Sequence, residues 1–210
     1  TDVGEDGPTH QVIDYAGLMR STFDWEIFVP ADPNQCDRVI RTVCSREGNQ
    51  LVAMGRSKLP TITTADGSRP FYDGSVGFQP GRADTLREGD AGAILAIGPT
   101  VVQAIQAHDA IFQRTGRRVR IVNMASLRPF DAEAIRSAAR TGYLLTVEDH
   151  HPDTGLGGLA ATVIADEGIS TRLERAGIDQ WSMSGKPADI FAAYRIDAEG
   201  ITQRVTQALT

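Results

Sequence analysis

Apolar and polar positions along the chain alternate between two periods, and the order of those periods sketches the architecture. A Gly/Pro turn, Gly4 to Pro8, leads into a helical pattern from about Gln11 to Arg20. Glu26-Ile27-Phe28-Val29-Pro30 then reads as a buried strand. Asp32-Pro33 pairs an N-cap with proline at the first helical position and predicts a helix to about Glu47. Within it Cys36, Val39, Ile40, Val43 and Cys44 recur at the 3.6-residue period. Leu51–Met54 is the next short strand, closed by Gly55-Arg56-Ser57. From about Thr61 to Glu88 the periodicity fades among Gly, Pro, Asp and Ser, with one small edge strand expected near Ser75–Phe78.

The second half alternates more regularly. Strands are expected at Ala93–Ile97, Arg118–Asn123, Leu144–Val147 and Arg172–Ala176. Helices are expected from Thr100 to about Arg114, Asp131 to about Arg140 and Leu159 to Asp166. Two more follow at Ala188–Arg195 and Ala198–Leu209. Strands separated by helices at this spacing predict crossover connections and a mainly parallel, doubly wound α/β sheet. The gap divides the chain into residues 1–80 and 81–210, two α/β units.

Bulk properties narrow the classes. The chain has 210 residues, 41% hydrophobic and 23% charged, which is globular rather than disordered composition. A formal net charge of −6, with both signs interspersed, offers no basic stripe for nucleic acid or an anionic membrane. No apolar run approaches the ~20 residues of a membrane span, so a cytoplasmic location is expected. The two cysteines, Cys36 and Cys44, sit eight residues apart in one predicted helix. Eight helical residues span ~12 Å, out of disulfide reach, so both are expected free.

The densest chemistry lies in Gly4-Glu5-Asp6-Gly7-Pro8-Thr9-His10-Gln11. Its glycines and proline make a sharp turn presenting Asp6 and His10 at the rim, ahead of a helix whose amino end favours an anion or polar oxygen. His10 can donate or accept near neutral pH. His150-His151 with Asp149 and Asp153 are acceptable metal-ligand types, but four ligands packed so tightly cannot all point inward. Gly155-Leu156-Gly157-Gly158 reads better as a closely packed helix-opening turn than as an anion cradle.

The Gly4–Gln11 stretch resembles the donor-sugar loop of transketolases. The resemblance continues at Leu18-Met19-Arg20, Pro30-Ala31-Asp32 and Gly55-Arg56-Ser57. It extends through Val122-Asn123-Met124, Pro129-Phe130-Asp131, Glu148-Asp149-His150 with Gly155–Gly158, and Ser184-Gly185-Lys186-Pro187. It covers nearly the whole chain. The resemblance implies that residues 1–80 are the carboxy-terminal part of a thiamine-diphosphate pyrimidine-binding domain, and that 81–210 are the transketolase C-terminal domain. It implies that His10 is catalytic and, with Asp6, hydrogen-bonds oxygens of the donor ketose, while Arg56 clamps a sugar phosphate. The activity implied is transfer of a two-carbon ketol unit, with thiamine diphosphate and Mg²⁺ as cofactors.

The family's Gly-Asp-Gly metal motif is missing; the chain has only Asp66-Gly67 and Gly89-Asp90. The activating glutamate and the aromatic residues that stack on the cofactor would precede Thr1. The expectation is therefore a piece of a split or longer enzyme, partnered by an N-terminal transketolase subunit or domain in a dimer or heterotetramer. Its substrates would be small sugar phosphates, and neither nucleic acid nor membrane is an expected partner. A deoxyxylulose-phosphate synthase and a non-catalytic assembly subunit are the alternatives.

Overall fold

A computed structural model describes residues 1–210 as seven α-helices and eight strands in two sheets. Two 3₁₀ turns, Gly4–Asp6 and Pro8–His10, open the chain. They are followed by α1 (Tyr15–Arg20), β1 (Trp25–Phe28), α2 (Pro33–Cys44) and β2 (Asn49–Val52). The second half runs β3 (Asp84–Arg87), β4 (Ala93–Ala96), α3 (Thr100–Thr115), β5 (Arg120–Asn123), β6 (Ser126–Arg128) and α4 (Ala132–Ala139). It ends with β7 (Tyr143–Val147), α5 (Leu156–Asp166), β8 (Arg172–Ala176), α6 (Pro187–Ala193) and α7 (Ala198–Leu209).

The larger sheet has the order β3-β5-β4-β7-β8. Strands β5, β4, β7 and β8 are mutually parallel, and β3 closes one edge antiparallel to β5. Every residue of β4 and β7 is buried, as central parallel strands covered on both faces require. Successive β4 side chains serve opposite cores. Ile94 and Ala96 pack with α3 and α7, including Val101, Ile111, Ile201 and Val205. Ala93, Leu95 and Ile97 face α4 and α5, together with Ala16, Ile27 and Val29 from the first half. The chain thus winds from β4 to β5 on one side and to β7 on the other, which makes β4 a switch point.

The smaller sheet has the order β2-β1-β6. Strands β1 and β2 are parallel, with Ile27 opposite Leu51, and α2 connects them. Asp32 caps α2 as the sequence predicts, its Oδ1 accepting the Gln35 N–H at 2.7 Å.

Several expectations are corrected. The helix expected from Gln11 begins only at Tyr15, because the preceding backbone is committed elsewhere. Gln11 is extended, the Ile13 carbonyl accepts the His151 N–H at 2.9 Å, and the Asp14 side chain caps the new start by accepting Gly17 N–H. Residues 75–78 form no strand; β3 takes the edge instead. Strand β6 has no signal in the sequence pattern, and it pairs antiparallel with β1 across about a hundred residues of chain. The α2 stripe is also rotated from its expected position. Gln35 and Val39 are buried, whereas Ile40 and Cys44 are exposed. Helix α5 starts at Leu156 rather than Leu159, because an acceptor from outside the helix meets its first N–H groups.

Candidate functional site

Ligands in open α/β sheets bind beyond the carboxyl ends of the strands, at the point where strand order reverses. A cavity of about 290 Å³ lies there. Val29 follows β1, Ala53–Arg56 follow β2, Ile97 and Pro99 follow β4, and Asp149 and His150 follow β7; all line it. His10, Gln11 and Tyr15 close the remaining wall. The turn after β4 depends on Gly98, whose φ of +60° and whose approach to Val29 Cγ1 (2.8 Å from a would-be Cβ) exclude a side chain.

The three predicted residues converge. His10 is exposed on the second 3₁₀ turn, with Nδ1 at 2.9 Å from the Thr9 hydroxyl. Arg56 lines the cavity and forms an ion pair with Asp6, fifty residues away in sequence, so Asp6 sits at the cavity's edge beside it. Both partners are substantially exposed, and such a pair is weakly held in water. A phosphate or hydroxyl-rich ligand could therefore exchange with Asp6 at little cost. The amino end of a regular helix, expected behind Asp6 and His10, is not there. Their electrostatic environment comes from side chains instead.

The Gly55-Arg56-Ser57 loop is tied down by the buried Asp2. Its carboxylate accepts the Ser57 N–H at 2.8 Å, and its own backbone N–H donates to Asp149 at 3.0 Å. This links the carboxyl ends of β2 and β7 and fixes the base of Arg56.

Sequence reasoning missed the roles of the buried groups behind the cavity wall, where His150 lines the space and Glu148 lies beside it. Glu148 is fully buried, and its two oxygens accept the Leu156 and Gly157 N–H groups, each at 2.7 Å. It thereby caps α5 from outside the helix, which is why α5 begins three residues early. Gly155 makes room for this; a Cβ there would strike the Glu148 carboxylate and the His150 ring. The reading of Gly155–Gly158 as a closely packed helix opening thus matches the geometry. His150 is buried with Nε2 2.6 Å from Glu148, off the direction of a well-aligned bond, and with Nδ1 3.0 Å from the Tyr15 hydroxyl. Burial, then the Asp149 and Glu148 charges, push the Tyr15 phenol well above its ordinary range, so it stays neutral at the wall. The signal was available: Glu148-Asp149-His150 follow a predicted parallel strand, the place where such sheets present ligand groups.

The residues at hand do not form a diphosphate–metal clamp. No three His, Cys, Asp or Glu side chains converge as metal ligands. Arg56 is the one guanidinium lining the cavity, and Asp6 already engages it. No helix is long and apolar enough to cross a membrane.

Residues 81–201 match the transketolase C-terminal domain, and residues 1–61 match the transketolase pyrimidine binding domain. The chain is 32% identical over 208 residues to a transketolase C-terminal section from Methanocaldococcus jannaschii, covering 99% of this chain and 63% of that protein. It is 33% identical to one subunit of the apulose-4-phosphate transketolase of Actinobacillus succinogenes, covering 92% of this chain and 60% of that one. Among solved structures, a split-gene transketolase described as an inactive β4 tetramer superposes with a TM-score of 0.85 at 30% identity. That match covers 97% of this chain and 64% of the other. The chain therefore spans about 60% of the length of these two relatives.

Proposed function

The chain belongs to the transketolase family, and we propose that it supplies the donor-sugar side of a thiamine-diphosphate-dependent ketol transferase. In this reading the enzyme moves a two-carbon ketol unit from a ketose phosphate to an aldose acceptor. The observation that carries it is the convergence of His10 and Arg56 in one cavity at the carboxyl ends of strands from both sheets, with Asp6 at its edge.

Each residue then has a distinct task. Arg56 exchanges its Asp6 partner for the donor's phosphate, a bidentate match for a planar guanidinium. Asp6, released, accepts from a sugar hydroxyl. His10 hydrogen-bonds the oxygens nearest the reacting carbon, where a proton must be held or moved as their charge changes. Neutral Tyr15, positioned by His150, offers an uncharged hydrogen-bonding group in the wall. Thiamine diphosphate, held with its Mg²⁺ by residues outside these 210, supplies the carbanion chemistry. A partner subunit or domain bearing those residues, in a dimer or heterotetramer, completes the site. The resemblance to a single transketolase subunit and to a split-gene enzyme supports that arrangement.

Steady-state kinetics of the assembled holoenzyme test the assignment with a phosphorylated and an unphosphorylated donor. A charged hydrogen bond contributes ~1.5–3 kcal/mol, and each ~1.4 kcal/mol is tenfold. Arg56→Ala should therefore raise KM for the phosphorylated donor roughly ten- to a hundredfold, with kcat little changed, and should spare the unphosphorylated one. His10→Ala should lower kcat with both donors. Equal damage to both donors by Arg56→Ala would show that the arginine merely holds Asp6 and the loop.

A further inference from the structure

A second cavity, of about 300 Å³, opens where α2, the connecting segment and β3 meet, and shares no lining residue with the first. Gln35, Arg38, Tyr72, Gln79, Arg82 and Asp84 form its polar lining. Gln35 is buried to 1% exposure. Its Oε1 is fixed by the Ala31 N–H at 2.8 Å and by Asn123 Nδ2 at 2.9 Å, so its amide nitrogen is the free end. That Nε2 has no hydrogen-bond partner, and neither does the buried Nε of Arg38, whose terminal nitrogens are held by Asp37 and by the Asp73 carbonyl. Buried donors are almost always satisfied. Two of them left open at one cavity indicate an acceptor that completes the site. Arg82 adds an exposed guanidinium whose one side-chain bond is a long 3.5 Å contact with Gln79 Oε1.

The opposite wall has the reverse character. Asp84 accepts the Tyr72 hydroxyl at 3.0 Å, and Tyr72 in turn accepts from Asn123 at 2.6 Å. Asp84 is thus an acceptor in the same lining as the open donors of Gln35 and Arg38. Burial pushes its carboxyl above the usual range, while the Tyr72 hydroxyl and the Arg82 charge pull it back. At ~30 Å³ per water-sized group the space takes about ten non-hydrogen atoms.

We propose that this cavity is a binding site for a small hydroxylated anion. Its phosphate or carboxylate head would accept from Gln35, Arg38 and Arg82, and its hydroxyl would donate to Asp84. The site is independent of the ketol-transfer assignment, which concerns the other cavity. Because Gln35 and Asn123 bridge α2 to β5, an occupant would also brace the two sheets against each other.

Calorimetric titration of the assembled holoenzyme carrying Arg56→Ala tests this, since that background removes the proposed phosphate ligand of the first cavity. Glycerol 3-phosphate and D-glycerate are the probes, one for each kind of head group. At least one should still bind. Adding Arg82→Glu should weaken it tenfold or more, and Arg82→Lys should restore part of the loss. Arg82 is exposed on a loop, so neither change threatens folding. Loss of all binding with Arg56→Ala alone would overturn the proposal, as would affinity unaffected by Arg82→Glu. Failure of the ketol-transfer reading would appear separately, in the donor kinetics.

Discussion

Glu148→Ala is the perturbation whose cost follows most directly from the geometry. The carboxylate is fully buried and accepts two backbone N–H groups at the start of α5, both at 2.7 Å. Alanine leaves both donors without an acceptor in a space water does not reach, and deprives the helix of a negative charge at its amino end. Two hydrogen bonds to a charged acceptor contribute ~1.5–3 kcal/mol each, so the loss should be about 3–6 kcal/mol. With an m-value of about 2 kcal/mol/M, the urea midpoint should fall by about 1.5–3 M. Glu148→Gln keeps one acceptor oxygen and turns a donor toward the second N–H, so it should lose roughly half as much. The assay is urea unfolding of the full-length protein followed by fluorescence and circular dichroism, with coincident curves required before a midpoint is compared. A fall below about 0.4 M for Glu148→Ala would refute the capping role and leave Glu148 as a tolerated buried charge.

Tyr72→Phe should cost about 1–3 kcal/mol in the same assay, because it strips the hydroxyl that joins Asn123 to Asp84. His108 is buried, donates Nδ1–H to the Val119 carbonyl at 2.8 Å, and is pushed below its ordinary value chiefly by burial. Its folded value being depressed, the unfolded chain takes up the proton first. The stability it allows is present above pH ~6.5 and is lost as pH falls toward the folded value. The drop in urea midpoint between pH 7.5 and 5.5 should therefore shrink in His108→Leu, and an unchanged drop would exclude His108 as its source. Asp66 accepts from the Thr64 and Ser68 hydroxyls and the Ser68 N–H, which hold its carboxyl down to about 2. A carboxyl-carbon NMR titration with a midpoint near 4 would show that this turn is not formed in solution.

Local patterns along the chain determine the elements whose cause is local. Asp32-Pro33 carries its own cap and its own fixed φ, so α2 starts where the sequence places it. Helix α7 matches its expected bounds, Ala198–Leu209, because the cap at Asp197 defines its start without outside help. The Asp6/His10 loop and Arg56 are legible as candidates from residue types and a family resemblance. What the sequence could not reveal depends on partners far along the chain. Strand β6 is three residues long and exists because β1 lies beside it. Helix α1 starts late because His151 takes the Ile13 carbonyl. Helix α5 starts early because Glu148, just past the preceding strand, satisfies its first N–H groups. The meeting of Asp6 with Arg56 spans fifty residues, and that of Tyr15 with His150 spans 135. Periodicity reports which face of an element is apolar, but only packing decides which donors and acceptors are brought within 3 Å. The cavity therefore belongs to the tertiary structure, even where each of its residues could be named beforehand.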